Sequence, residues 1–134
     1  MIRRKDLWSC FISIFFALFS LMGIAATLTA HLVQDYEYDA TVAYYLFAVW
    51  SSGHIIGSFA VTCMIPYTRI IIRVAMAVHV VGLFLAGPSN LASSLFKGYD
   101  TGTILKVNSV GLFLMGLTAA ALQSLGNIES VTRA

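Results

Sequence analysis

Three ionisable side chains stand inside long apolar runs of this 134-residue chain: His54, His79 and Glu129. Ionisable groups at membrane depth are expensive to keep, so each is a functional candidate by default. His54 lies in Ser51-Ser52-Gly53-His54-Ile55-Ile56-Gly57. An imidazole there can carry or relay a proton near neutral pH, or stay neutral and hydrogen-bond a neighbouring helix. His79 sits between Val78 and Val80 with no partner evident in the sequence, and reads as a structural imidazole. Glu129 closes a polar helix end with Gln123, Ser124 and Asn127. A carboxylate in that setting can bind a cation or take a proton, or simply meet interfacial water. His31, at the end of the first apolar run, can reach the interface with its polar edge.

Four long apolar runs must position these side chains, at about residues 7–33, 40–65, 70–87 and 106–128. Each is long enough to cross a hydrocarbon core, which takes about 20 apolar residues of helix. Backbone amides in lipid must be satisfied within the segment, so helix is the expected conformation. The expected fold is all-α: a polytopic membrane protein of four transmembrane helices forming a single membrane domain over residues 1–134. Composition agrees, with 59% hydrophobic and 10% charged residues, against roughly 45–50% and 25% in soluble domains. Pro66 and Pro88 fall where the second and third runs end, as stops rather than kinks. Residues 88–103, rich in Gly, Ser and Asn, read as an exposed loop.

Lys and Arg sort by position. Arg3, Arg4 and Lys5 precede the first run, Arg69 and Arg73 follow the second, and Arg133 follows the fourth. Asp35, Glu37, Asp39, Lys97, Asp100 and Lys106 fall between the other ends. The positive-inside rule then places both termini and the 66–69 turn on the cytosolic side, or the matrix side of a mitochondrial inner membrane. A vesicle membrane fits the same rule. Behind Arg3-Arg4-Lys5 the apolar run is too long for a cleaved signal segment and reads as a retained span.

Gly53 and Gly57 make a small-xxx-small pair, expected to let a second helix approach closely. Tyr44, Tyr45 and Phe47 read as an interfacial aromatic belt. Cys10 and Cys63 are isolated in apolar runs and read as small packing residues rather than a disulfide or metal pair. There is no phosphate-cradling glycine loop, dinucleotide fingerprint, zinc spacing or nucleophile elbow. No metal, cofactor or enzymatic activity is expected. Nor is a nucleic-acid partner, because no basic patch is interleaved with aromatics. The expected partners are the lipid bilayer and other transmembrane helices.

The order of these features resembles four consecutive helices, the seventh to the tenth, of the major facilitator superfamily. Its vesicular amine and polyamine transporter-like branch is the most similar. Tyr45-Leu46-Phe47-Ala48-Val49-Trp50-Ser51-Ser52-Gly53-His54-Ile55-Ile56-Gly57-Ser58 is similar to the family's eighth helix. Arg69 and Arg73 stand where it places a basic cytosolic loop, and Leu85-Ala86-Gly87-Pro88-Ser89 resembles the end of its ninth helix. Gly116-Leu117-Thr118-Ala119-Ala120 through Glu129 is similar to its tenth. The resemblance implies secondary transport of a small solute, with substrate near the midplane and alternating access. Glu129 would be a cavity-side carboxylate recognising an amine or a proton. The stretch 62–69 holds neither the Asp nor the Gly of the family loop, and 123–128 lacks its prolines. Those departures support the alternative, a non-transporting accessory subunit of a larger membrane complex derived from such a transporter.

Overall fold

The computed structural model describes residues 39–86 and 97–132, with Trp8, Ile12, Phe15, Phe19, Gly23, Gln34 and Ser94 as single positions. Side chains at 40, 62, 64 and 129–132 are outside that set. The expected first span, with Arg3, Arg4, Lys5, Cys10 and His31, lies outside the described residues apart from those single positions, as does most of the loop after Ala86. Helix α1 is Ala40–Met64, α2 is Thr68–Ala86 and α3 is Thr101–Thr132. A 3-10 turn, Ile65–Tyr67, joins the first two. Among the described residues there is no strand.

Local chemistry sets the ends. Asp39 is extended, with φ −61° and ψ 148°, and its carbonyl accepts the Val42 N–H at 2.9 Å, opening α1. Pro66 has no N–H to continue the helical ladder, so α1 stops just before it. Thr68 Oγ1 donates to the Ile65 carbonyl at 2.6 Å, fixing the turn as α2 starts. Ahead of α3, Gly98 supplies a left-handed φ of 99°. Asp100 is the N-cap: its carboxylate accepts the Thr103 hydroxyl at 2.6 Å and the Thr103 N–H at 3.0 Å. Those bonds, the hydroxyl's first, hold the Asp100 carboxyl below its usual range. The fourth run therefore becomes helical at Thr101 rather than near Lys106. The cap decides the start, and residues 101–106 need no membrane to be helical. Ser94, within the expected loop, is also helical.

Helix α3 is the central element, and α1 and α2 pack on it rather than along each other. On α2 the buried residues are Thr68, Ile72, Ala75, His79, Gly82 and Ala86, an alternating spacing of four and three that forms one stripe. The opposite face carries Ile70, Val74, Val80, Val81 and Phe84, all exposed. One cluster joins Ala43 and Leu46 of α1, Ala86 of α2, and Leu112 and Met115 of α3. A second joins Val61, Ile72, Ala75, Ala121, Leu122 and Leu125. These pairings run α1 parallel and α2 antiparallel to α3. Arg69 and Arg73 therefore lie at one end, and Asp39, Lys97, Asp100 and Lys106 at the other. Two segments, Ile65–Ala86 and Thr101–Ile128, are long and apolar enough to cross a membrane.

Candidate functional site

Glycine seams bring the backbones together. A Cβ on Gly53 would meet the Phe113 carbonyl, and one on Gly57 the Leu117 carbonyl. In return, Gly116 of α3 faces the Trp50 carbonyl, with the His54 backbone nitrogen 2.9 Å from the position of its missing Cβ. The α2 seam is built the same way: a Cβ on Gly82 would lie 2.9 Å from the Gly111 carbonyl, and one on Gly111 2.6 Å from the Ala86 nitrogen. Both of the glycines singled out in the sequence, Gly53 and Gly57, are buried against α3. Gly82, Gly111 and Gly116 complete the arrangement. Their signal was weaker, because each partner glycine lies on a different helix.

The two mid-helix histidines reach α3 at nearly the same level. His79 is 1% exposed, and its Nδ1 lies 2.8 Å from Thr118 Oγ1. The Thr118 hydroxyl donates to the Leu114 carbonyl at 2.7 Å. With that proton spent, its oxygen accepts from the imidazole, which places the ring proton on Nδ1. His54 packs beside Gly116, stacked on Trp50 with ring centroids 5.5 Å apart and planes 22° apart. Its Nδ1 is buried with no hydrogen-bond partner among the described residues. Gly116 and Thr118 are two residues apart on a helix, hence on nearly opposite sides of α3. The two histidines share a depth, with α3 between the helices that carry them.

A third polar group was not singled out in the sequence. Asn108 is fully buried, and neither its amide oxygen nor its amide nitrogen has a hydrogen-bond partner among the described residues. With Gly111, Met115 and Thr118 it lies on the buried side of α3. The spacing of three and four residues was the available signal.

The polar end of α3 is a separate place. Gln123 and Asn127 are exposed and one turn apart. Glu129 continues the same helix, and its side chain lies outside those described. Asn127 is eleven residues beyond Gly116, about 16 Å along the axis at 1.5 Å per residue. Gln123 and Asn127 therefore form no common pocket with His54. Cys63 is exposed, so it does not pack as its apolar setting implied. Tyr44 and Tyr45 are exposed, whereas Phe47 is half-buried against the first cluster. Among the described residues no three His, Cys, Asp or Glu side chains converge as metal ligands. Comparison with family models, curated proteins and solved structures gives no match to this chain.

Proposed function

We propose that the chain is an integral membrane protein of four spans and forms part of a major-facilitator-type secondary transporter for a small solute. One observation carries the membrane reading: large apolar side chains cover the outward faces of helices whose seams are closed by glycines and carry a few polar groups among apolar ones. The seams of α1, α2 and α3 hold glycine, His79, Thr118 and Asn108, while Phe59, Ile70, Val74, Val80 and Val81 face outward. In lipid the helices gain little by hiding large apolar side chains from one another, so close glycine contacts and interhelical polar groups add to the apolar packing of the seams. Transport draws support from the polar level formed by His54, His79 and Thr118 near the middle of the spans, where carriers hold substrate or coupling ion. In this reading His54 and Glu129 handle a proton or a cationic solute, Gln123 and Asn127 line its exit, and both termini face the cytosol or matrix.

The test is uptake of a small organic amine by proteoliposomes holding the complete native assembly under a proton gradient. Glu129→Gln and His54→Ala are expected each to abolish proton-coupled uptake while the assembly still purifies. Unchanged uptake in both removes the transport reading. The second reading, a non-transporting accessory subunit, is favoured by the glycine seams, which lock α3 to its neighbours on two faces. It requires co-purification with membrane proteins of other families, whereas the transporter reading requires further helices of the same family.

A further inference from the structure

The Arg69 end of the bundle has a surface that the transport reading does not use. The 3-10 turn leaves Ile65 45% exposed, Tyr67 64% and Ile70 64%, an apolar and aromatic rim at the end of the helices. Arg69 and Arg73 follow, both exposed and four residues apart, so they project from one side of α2. An open cleft of about 380 Å³ is lined by Ile65, Pro66, Tyr67, Thr68, Arg69 and Ile70. The Thr68 hydroxyl bond to the Ile65 carbonyl fixes that turn, so the cleft is held in shape before anything binds. The carboxylates with described side chains, Asp39 and Asp100, are both at the opposite end, while Glu129, on the last turns of α3, shares the arginine end.

We propose that this turn binds the phosphate of an anionic phospholipid headgroup. The Arg69 and Arg73 guanidinium groups donate to the phosphate oxygens, a geometry that suits arginine better than lysine. Tyr67 sits at headgroup level, as amphipathic rings do, and Ile65 and Ile70 lie against the acyl chains. The same two arginines then do more than orient the chain: they select the lipid that packs at the turn. Juxtamembrane basic residues contribute roughly fivefold in affinity each for an anionic leaflet.

This inference rests on the membrane reading, and the experiment separates the two. The full chain is purified in detergent with equal parts phosphatidylcholine and phosphatidylglycerol, and retained lipid is read by native mass spectrometry. The expected result is an excess of phosphatidylglycerol, reduced by tenfold or more in R69Q/R73Q and unchanged in K97Q/K106Q at the other end. Equal retention of both lipids, or equal loss in the two variants, overturns the proposal. So does displacement of phosphatidylglycerol by inorganic phosphate at millimolar level, which identifies a free-anion site. Carbonate extraction of native membranes is run in parallel: a chain that stays in the pellet without lipid preference refutes this proposal alone, and one released to the supernatant refutes both.

Discussion

The contact of most consequence at the residue scale is the one between His79 and Thr118. It joins α2 to α3 through a buried hydrogen bond, inside a region that water does not supply. Such interhelical bonds are worth about 0.6 kcal/mol on average and up to about 1.7. Thr118→Val keeps the shape and removes the acceptor, so its unfolding midpoint in detergent is expected to fall. In the double-mutant cycle with His79→Ala, the two losses should not add, because each removes the same bond. Strict additivity would show that the pair is idle. Asn108 makes the opposite case. An amide buried without partners costs about 1–3 kcal/mol, so Asn108→Leu is expected to raise the midpoint. A lower midpoint would mean that the amide is engaged in the native bundle. His79 was legible as an interior imidazole but not as a bonded one, since its partner is 39 positions away. Asn108 carries no comparable signal in the sequence, because asparagine on a helix is ordinary until its burial is known.

At the scale of the element, the helices are held by what is missing from their side chains. Gly116 receives the Trp50 carbonyl and Gly111 receives the end of α2, so α3 is flanked by backbone on two faces. A side chain there must push a helix away. Gly116→Leu is expected to separate α1 from α3 and destabilise the bundle by at least the ~1–3 kcal/mol typical of overpacking. Gly23→Ala serves as the comparison, because a Cβ at Gly23 meets nothing within 4 Å. Equal effects of the two substitutions on thermal unfolding in detergent would mean that the seam is not close-packed. Helix boundaries followed local rules where a local rule exists. The helix expected over 40–65 is α1, Ala40–Met64, which stops just before Pro66. The helix expected from about Lys106 starts earlier than its hydropathy implied because the Asp100 cap acts regardless of hydropathy.

For the molecule as a whole, the arrangement of charge is the main consequence of the fold. The antiparallel path of α2 places Arg69 and Arg73 at one end, and brings Asp39, Lys97, Asp100 and Lys106 together at the other. If the bundle crosses a bilayer, those ends face different compartments. In a background with Cys10 and Cys63 changed to Ala, Lys97→Cys is expected to react with a membrane-impermeant maleimide from the non-cytosolic side only. Labelling from the cytosolic side would reverse the orientation, and labelling from both would argue against a spanning bundle.

Sequence alone determined the apolar runs, the proline stop at Pro66, the sorting of basic residues and the glycine pair in α1. Each of these is local: a run length, a missing N–H, a charge at a run's end, a repeat of four residues. Only the tertiary structure decided that α3 is the central helix, that His79 meets Thr118, that His54 and His79 lie on opposite sides of it, and that Asn108 is sealed in. Those facts depend on which face of one helix meets which face of another. An apolar run reveals little of its facing, because lipid and protein neighbours make similar demands on most of its side chains. The facing is set instead by a few small residues far apart in the chain, and their pairing exists only once the helices have packed.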